Sequence, residues 1–154
     1  IIDGHLLANG HVIIANPFGV WFGSKAVVDV AHLTAAAGSI SNEDFLAGRL
    51  HLTGVDGDVF NDGSIRAQNV ALIGRQVANR GQIVSADGSV WMLAGEDVWV
   101  GEWGSPIQVG LGTPTGDEAA VTNDGTIDAG RGSVRMAAGD LLGLARRTRG
   151  AIRA

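Results

Sequence analysis

The sequence contains no cysteine and no tyrosine, only three prolines, and a single lysine, Lys25. Without cysteine, a disulfide scaffold, a thiolate zinc site and a cysteine nucleophile are all excluded. Charge is sparse, at 18% of 154 residues against the roughly 25% of an ordinary domain. Eleven basic against sixteen acidic residues leave a net charge of −5, which argues against nucleic acid as a partner. No apolar run reaches the ~18 residues of a membrane helix. The chain opens on Ile1-Ile2-Asp3-Gly4, without the three regions of a signal peptide, although a processed precursor would look the same. What the sequence has in abundance is glycine, 24 residues, about twice the usual ~7% share. Its 45% of hydrophobic residues is enough to build a core, so the expectation is one acidic, soluble, folded domain over residues 1–154.

The chain repeats itself. Val77–Val98 laid over Val121–Leu142 without a gap gives ten identities in 22 positions, among them Asn79/Asn123, Gly81/Gly125, Ile83/Ile127 and Met92/Met136. An earlier copy carries Val59, Asn61, Gly63 and Ile65, and Gly150-Ala151-Ile152 opens another. The isoleucine marker falls at 65, 83, 127 and 152, in steps of 18, 44 and 25 residues, and the spacing predicts that the 44 divides into two turns of 22.

Within each copy the apolar period is two, as in Val90, Met92 and Ala94 alternating with Trp91 and Leu93. Such alternation between Asn, Asp and Gly turns marks short half-buried strands. A strand of that length cannot bury its own face, but coils stacked on one another can. The expected class is therefore all-β, a parallel β-helix of seven or eight rungs. Asn61, Asn79 and Asn123 would then stack as an inward ladder; the alternative is that they are surface turn residues that recur.

Two stretches break the pattern. Trp99–Ala120, with Gly104-Ser105-Pro106 at its centre, predicts a hairpin projecting from the helix, an insertion over about residues 99–120. Ser41-Asn42-Glu43-Asp44 has the form of a helix-start box and Gly48 that of a stop, predicting one or two helical turns or a tight loop at a corner.

Several ordered motifs resemble one family. They are Leu7-Ala8-Asn9-Gly10-His11-Val12, Asn16-Pro17-Phe18-Gly19-Val20-Trp21-Phe22-Gly23, Ala26-Val27-Val28-Asp29-Val30, Ile40-Ser41-Asn42-Glu43-Asp44-Phe45 and the Asn-x-Gly-x-Ile-x-Ala turns. Together they are similar to the secretion domain of filamentous-haemagglutinin-like exoproteins of two-partner secretion. The family's Asn-Pro-Asn-Gly-(Ile/Val) motif is met at Asn16, Pro17, Gly19 and Val20, with Phe18 in place of its second Asn. Its Val-Gly-Gly-Leu segment is here Val30-Ala31-His32-Leu33, with both glycines replaced.

The resemblance implies a right-handed β-helix exported through the periplasm and across a Gram-negative outer membrane. It further implies an outer-membrane transporter as partner, whose periplasmic domains recognise the secretion domain of a larger adhesin or fibre. The absence of cysteine fits that route, since no disulfide can lock the chain before it threads a pore. The family's domain normally starts before the Leu-x-Ala-Asn-Gly segment, and Gly150–Ala154 opens a rung that does not close. The expectation is a part of a longer β-helix, or a unit that stacks end to end.

Candidates for chemistry are weak. Asp56/Asp58, Glu96/Asp97, Glu102 and Asp117/Glu118 lie at turns or in the insertion, where solvated charge is the ordinary explanation, and Asp56-Gly57-Asp58 lacks the repeat of a calcium-binding β-roll. His5, His11, His32 and His51 share no metal spacing. No nucleophile elbow and no phosphate loop occur. Arg146, Arg147, Arg149 and Arg153 form a basic tail explained equally well by solvated rung edges. The expectation is no catalytic residue, no cofactor and no metal. Trp91 alternates with inward residues and so points outward; with Trp99 and Trp103 it could form a surface patch for glycan or protein. The alternative is that the hairpin lies down over Trp91 and buries all three. The leading expectation is a non-catalytic secretion-recognition and fold-nucleating module, with Asn16–Val20 as its secretion motif. The alternative is a fibre subunit or adhesin segment that stacks on itself or binds glycan.

Overall fold

The computed structural model describes residues 1–95, 97–100, 108–110, 121–138, 146–148 and 150–154. At one end lies β1 (His5–Ala15). The next coil is made by β2 (Val20–Phe22) and β3 (Val27–Ala36), a long strand that spans two faces: its first residues pair with one strand and its last with another. The chain then leaves the helix through β4 (Ser39–Ile40), α1 (Asn42–Leu46) and β5 (Leu50–Thr53). It returns for two three-strand coils. The first is β6 (Val59–Asn61), β7 (Ser64–Arg66) and β8 (Asn69–Gly74); the second is β9 (Val77–Asn79), β10 (Gln82–Val84) and β11 (Ser89–Ala94). A second excursion, β12 (Asp97–Val100) and β13 (Gln108–Gly110), precedes the coil of β14 (Val121–Asn123), β15 (Thr126–Asp128) and β16 (Ser133–Ala138). The last strands are β17 (Arg146–Thr148) and β18 (Ala151–Arg153).

Corresponding strands of successive coils pair in parallel. One face is the five-stranded sheet β17-β14-β9-β6-β2; the other two merge through β3 into a nine-stranded sheet that also carries β1. This is a right-handed parallel β-helix. Inward side chains form columns, such as Val20, Val59, Val77 and Val121, or Val28, Ile65, Ile83 and Ile127. These columns make up the main hydrophobic core. Each fully buried Ile or Leu in them stabilises the fold by roughly 1.5–3 kcal/mol.

Asn79 pairs directly with Asn123, so the 44-residue step is one coil plus an excursion, not two turns of 22. Among the described residues, 39–53 and the strands β12 and β13 lie outside the coils. The excursions meet each other. β12 pairs antiparallel with both β13 and β5, and β5 pairs antiparallel with β4, giving a four-stranded sheet in the order β13-β12-β5-β4. The strand β12 of this sheet runs from Asp97, and half of the sheet comes from residues 39–53. Residues 101–107 and 111–120 of the expected insertion lie outside the described residues.

The small helix α1 sits in the first excursion and not at a helix corner. The Ser41 hydroxyl accepts the Asp44 N–H at 3.0 Å, and Gly48, at φ +69°, ends the segment. The same hydroxyl donates to the Asp44 carboxylate at 2.7 Å. That bond first, and then Arg49, holds the Asp44 carboxyl below its ordinary value.

Candidate functional site

Asn16, Pro17, Phe18 and Gly19 form one tight turn at the corner between β1 and β2. Gly19 N–H donates to the Asn16 carbonyl at 2.9 Å, and Phe18 N–H donates to the Asn16 side-chain oxygen at 3.0 Å. Asn at the first position, Pro at the second and Gly at the fourth is the residue order that a type I turn favours. Asn16 N–H in turn donates to the Ala36 carbonyl at 3.0 Å, tying the turn to the end of β3. Gly19 sits at φ +105°, and a Cβ there would come within 2.8 Å of the Asp58 carbonyl. That carbonyl accepts the Val20 N–H at 3.0 Å, so the turn leans on the backbone of the next coil. Val20 enters the core, whereas Phe18 is 95% exposed. The motif thus has an inner half that builds the fold and an outer half that presents an aromatic ring.

Asn61, Asn79 and Asn123 are fully buried and stacked. Asn61 Nδ2 donates to Asn79 Oδ1 at 2.8 Å, and Asn79 Nδ2 donates to Asn123 Oδ1 at 2.7 Å. The same nitrogens reach the carbonyls of Gln82 and Thr126, and Asn61 Oδ1 accepts the Gly63 N–H at 3.2 Å. The Asn-x-Gly spacing has a steric cause at its second residue: a Cβ on Gly81 would collide with the backbone of Asp62 and Gly63 in the coil below. The ladder starts beside Phe22, the register partner of Asn61, and passes from Asn123 to Thr148. The Asn123 Nδ2, buried at this end, has no hydrogen-bond partner.

Trp91 does point away from the helix interior, yet it is 3% exposed. It belongs to a second core with Leu52, Val55, Val98, Ala71, Ile73 and Leu93, between the helix face and the antiparallel sheet. It is therefore not a surface-binding residue, because the outer side of that face is itself covered. Trp99 lies on β12, in register with His51 and Gln108. Trp103 lies outside the described residues, as do Arg149 and the carboxylates Glu96, Glu102, Asp117 and Glu118.

Among the described residues no three His, Asp or Glu side chains converge as a metal site. Asp58 is engaged by Arg75 at 3.4 Å and by the Gln76 N–H at 3.2 Å. Two arrangements are absent from the sequence reading. Trp21 Nε1 and Arg80 both donate to Asp62, each at 2.6 Å, and Arg80 lies over the Phe60 ring, linking three coils on the outer face. The recurrence of Asp58/Arg75 and Asp62/Arg80 at offsets of 17 and 18 residues carried that signal. The second is a contact between His11 and His32, whose positions share no spacing that sequence alone would pair.

A family model described as the TPS secretion domain matches residues 1–150. No match is found among curated protein sequences. The chain superposes on the crystal structure of the HMW1 secretion domain from Haemophilus influenzae with a TM-score of 0.82 at 27% identity, covering 94% of this chain and 39% of that one. The β-helix fold agrees with a family match that runs over nearly the whole length: the chain belongs to the TPS secretion domain family.

Proposed function

We propose that this chain is the secretion-recognition and fold-nucleating module of an adhesin- or haemagglutinin-like two-partner-secretion exoprotein, and that it is non-catalytic. On this reading the exoprotein is exported through the periplasm of a Gram-negative bacterium. Its partner is an outer-membrane transporter whose periplasmic domains read the module, and it reaches the cell surface or the medium. The observation that carries the reading is the Asn16–Val20 corner, whose own hydrogen bonds fix the turn while Phe18 stands in solvent. A side chain that exposed contributes little to folding and is free for a partner.

The test is export of a fusion of this chain with a reporter by a cognate transporter in a Gram-negative host. Asn16→Ala and Phe18→Ala should both lower the secreted fraction several-fold. Phe18→Ala should do so with the melting temperature unchanged. Undiminished export of both variants would overturn the assignment of the motif.

A second reading is a fibre subunit or adhesin segment that adds copies end to end or binds glycan. Sedimentation against concentration separates the two: filaments growing with concentration favour stacking, whereas a constant monomer removes it.

A further inference from the structure

The sequence holds seven asparagines, and only Asn9 is followed by glycine. That step lies inside β1, where strand pairing would ordinarily hold the backbone extended, yet the ladder to β3 slips there. Ala8 pairs with Val30 and His11 with His32, so Asn9 and Gly10 together stand against the single residue Ala31. This is a bulge on the β1 side, of the kind that a glycine within a strand often marks. The Ala31 carbonyl accepts the Gln68 N–H at 2.9 Å, on the side of β3 that faces the next coil. Asn9 and Gly10 are both exposed, and a Cβ placed on Gly10 would meet nothing within 4 Å. The side chains of Asn16, Asn61, Asn69, Asn79 and Asn123 are each held by a hydrogen bond. Among the described residues the Asn9 amide has no such partner.

We infer that Asn9-Gly10 is a self-modification site, at which the side-chain amide becomes a carboxylate through a succinimide. The Gly10 nitrogen, once its proton has passed to solvent base, attacks Asn9 Cγ. A bond forms between them, the Cγ–Nδ2 bond breaks, and Nδ2 leaves as ammonia after taking a proton from solvent. Water then opens the ring at one of its two carbonyls. Breaking the new Cγ–N bond restores the peptide with aspartate at position 9. Breaking the original peptide bond instead leaves isoaspartate, with the chain running through Cγ. Nothing is oxidised or reduced: one water enters, one ammonia leaves, and each event adds one negative charge.

Two barriers guard an asparagine in an ordinary strand, and both are lifted here. A side chain on the following residue shields the attacking nitrogen, and glycine has none. A continuous ladder opposes the backbone rotation that brings this nitrogen to Cγ, and the extra residue of a bulge is left unpaired. Asp62-Gly63, Asp87-Gly88 and Asp124-Gly125 have the same ring closure available but are wedged in place. A Cβ on any of those three glycines would collide with the backbone of a neighbouring coil.

Peptide mass mapping of the intact chain, incubated at mildly alkaline pH, tests the site. Asn9 should convert at least about tenfold faster than Asn69 or Asn79, and within about tenfold of its own rate in the guanidinium-unfolded chain. Both aspartate and isoaspartate should appear at position 9, because direct hydrolysis of the amide yields aspartate alone. Gly10→Ala, for which the structure leaves room, should keep the melting temperature and slow the conversion at least about tenfold. A native rate more than about tenfold below the unfolded one would overturn the proposal, since the ladder would then guard the step. So would a product free of isoaspartate, or a Gly10→Ala chain that converts as fast as the native one. The comparison with the unfolded chain needs no variant, and decides alone if Gly10→Ala does not fold.

Discussion

The buried asparagines show how one residue type serves a repeat. Asn79 at the centre both accepts and donates along the stack: its oxygen satisfies Asn61 on one side and its nitrogen satisfies Asn123 on the other. Asn79→Ala would leave the Asn61 nitrogen only its long contact to the Gln82 carbonyl and take the Asn79 donor from the Asn123 oxygen. Chemical denaturation should report a loss of about 2–4 kcal/mol, and a loss under about 0.5 kcal/mol would show that the ladder adds little.

At the scale of elements, the antiparallel sheet behaves as a cover. Trp91 lies beneath it, stacked in register between Ala71 of the coil before and Arg135 of the coil after. Leu52 and Val98, paired across β5 and β12, close over the same cluster. Trp91→Ala should cost about 3–5 kcal/mol and release the cover first. In hydrogen exchange, the amides of β4, β5 and β12 should lose protection while those of β9 and β10 keep theirs. Unchanged exchange in β5 would mean that the sheet is held by its own ladders.

The short parallel strands were legible in the sequence because each coil repeats the steric problem of its neighbour: Asn-x-Gly turns, then an inward Ile, then alternating residues. The cover was not. The strands β4, β5, β12 and β13 pair antiparallel across two coils, with no period to betray them. The Asn16–Val20 corner was legible as a turn from its residue order. That its Gly19 leans on the Asp58 backbone depends on a coil some 40 residues away and could not be read locally.

For the whole molecule, stability is a sum over coils and their neighbours rather than the property of one centre. β8 and β11, paired on both sides and buried on both faces, should be the last segments to exchange. β18, exposed at every position, should be the first, with β1 exchanging earlier than β8 and β11. Uniform protection from β1 to β18 would instead indicate all-or-none opening.

By itself the sequence determined the helix: period-two alternation, Asn-x-Gly turns and the recurring isoleucine leave stacked parallel coils as the way to bury each strand's inner face. It also carried the family, through ordered motifs along nearly the whole chain. Only the tertiary structure decided what lies outside the coils. Alternation states that Trp91 leaves the interior, but whether an outward side chain meets water depends on what folds over it. His11 and His32 likewise became neighbours only when β1 found its register on β3, because a ladder across coils joins residues by height on the helix and not by distance along the chain.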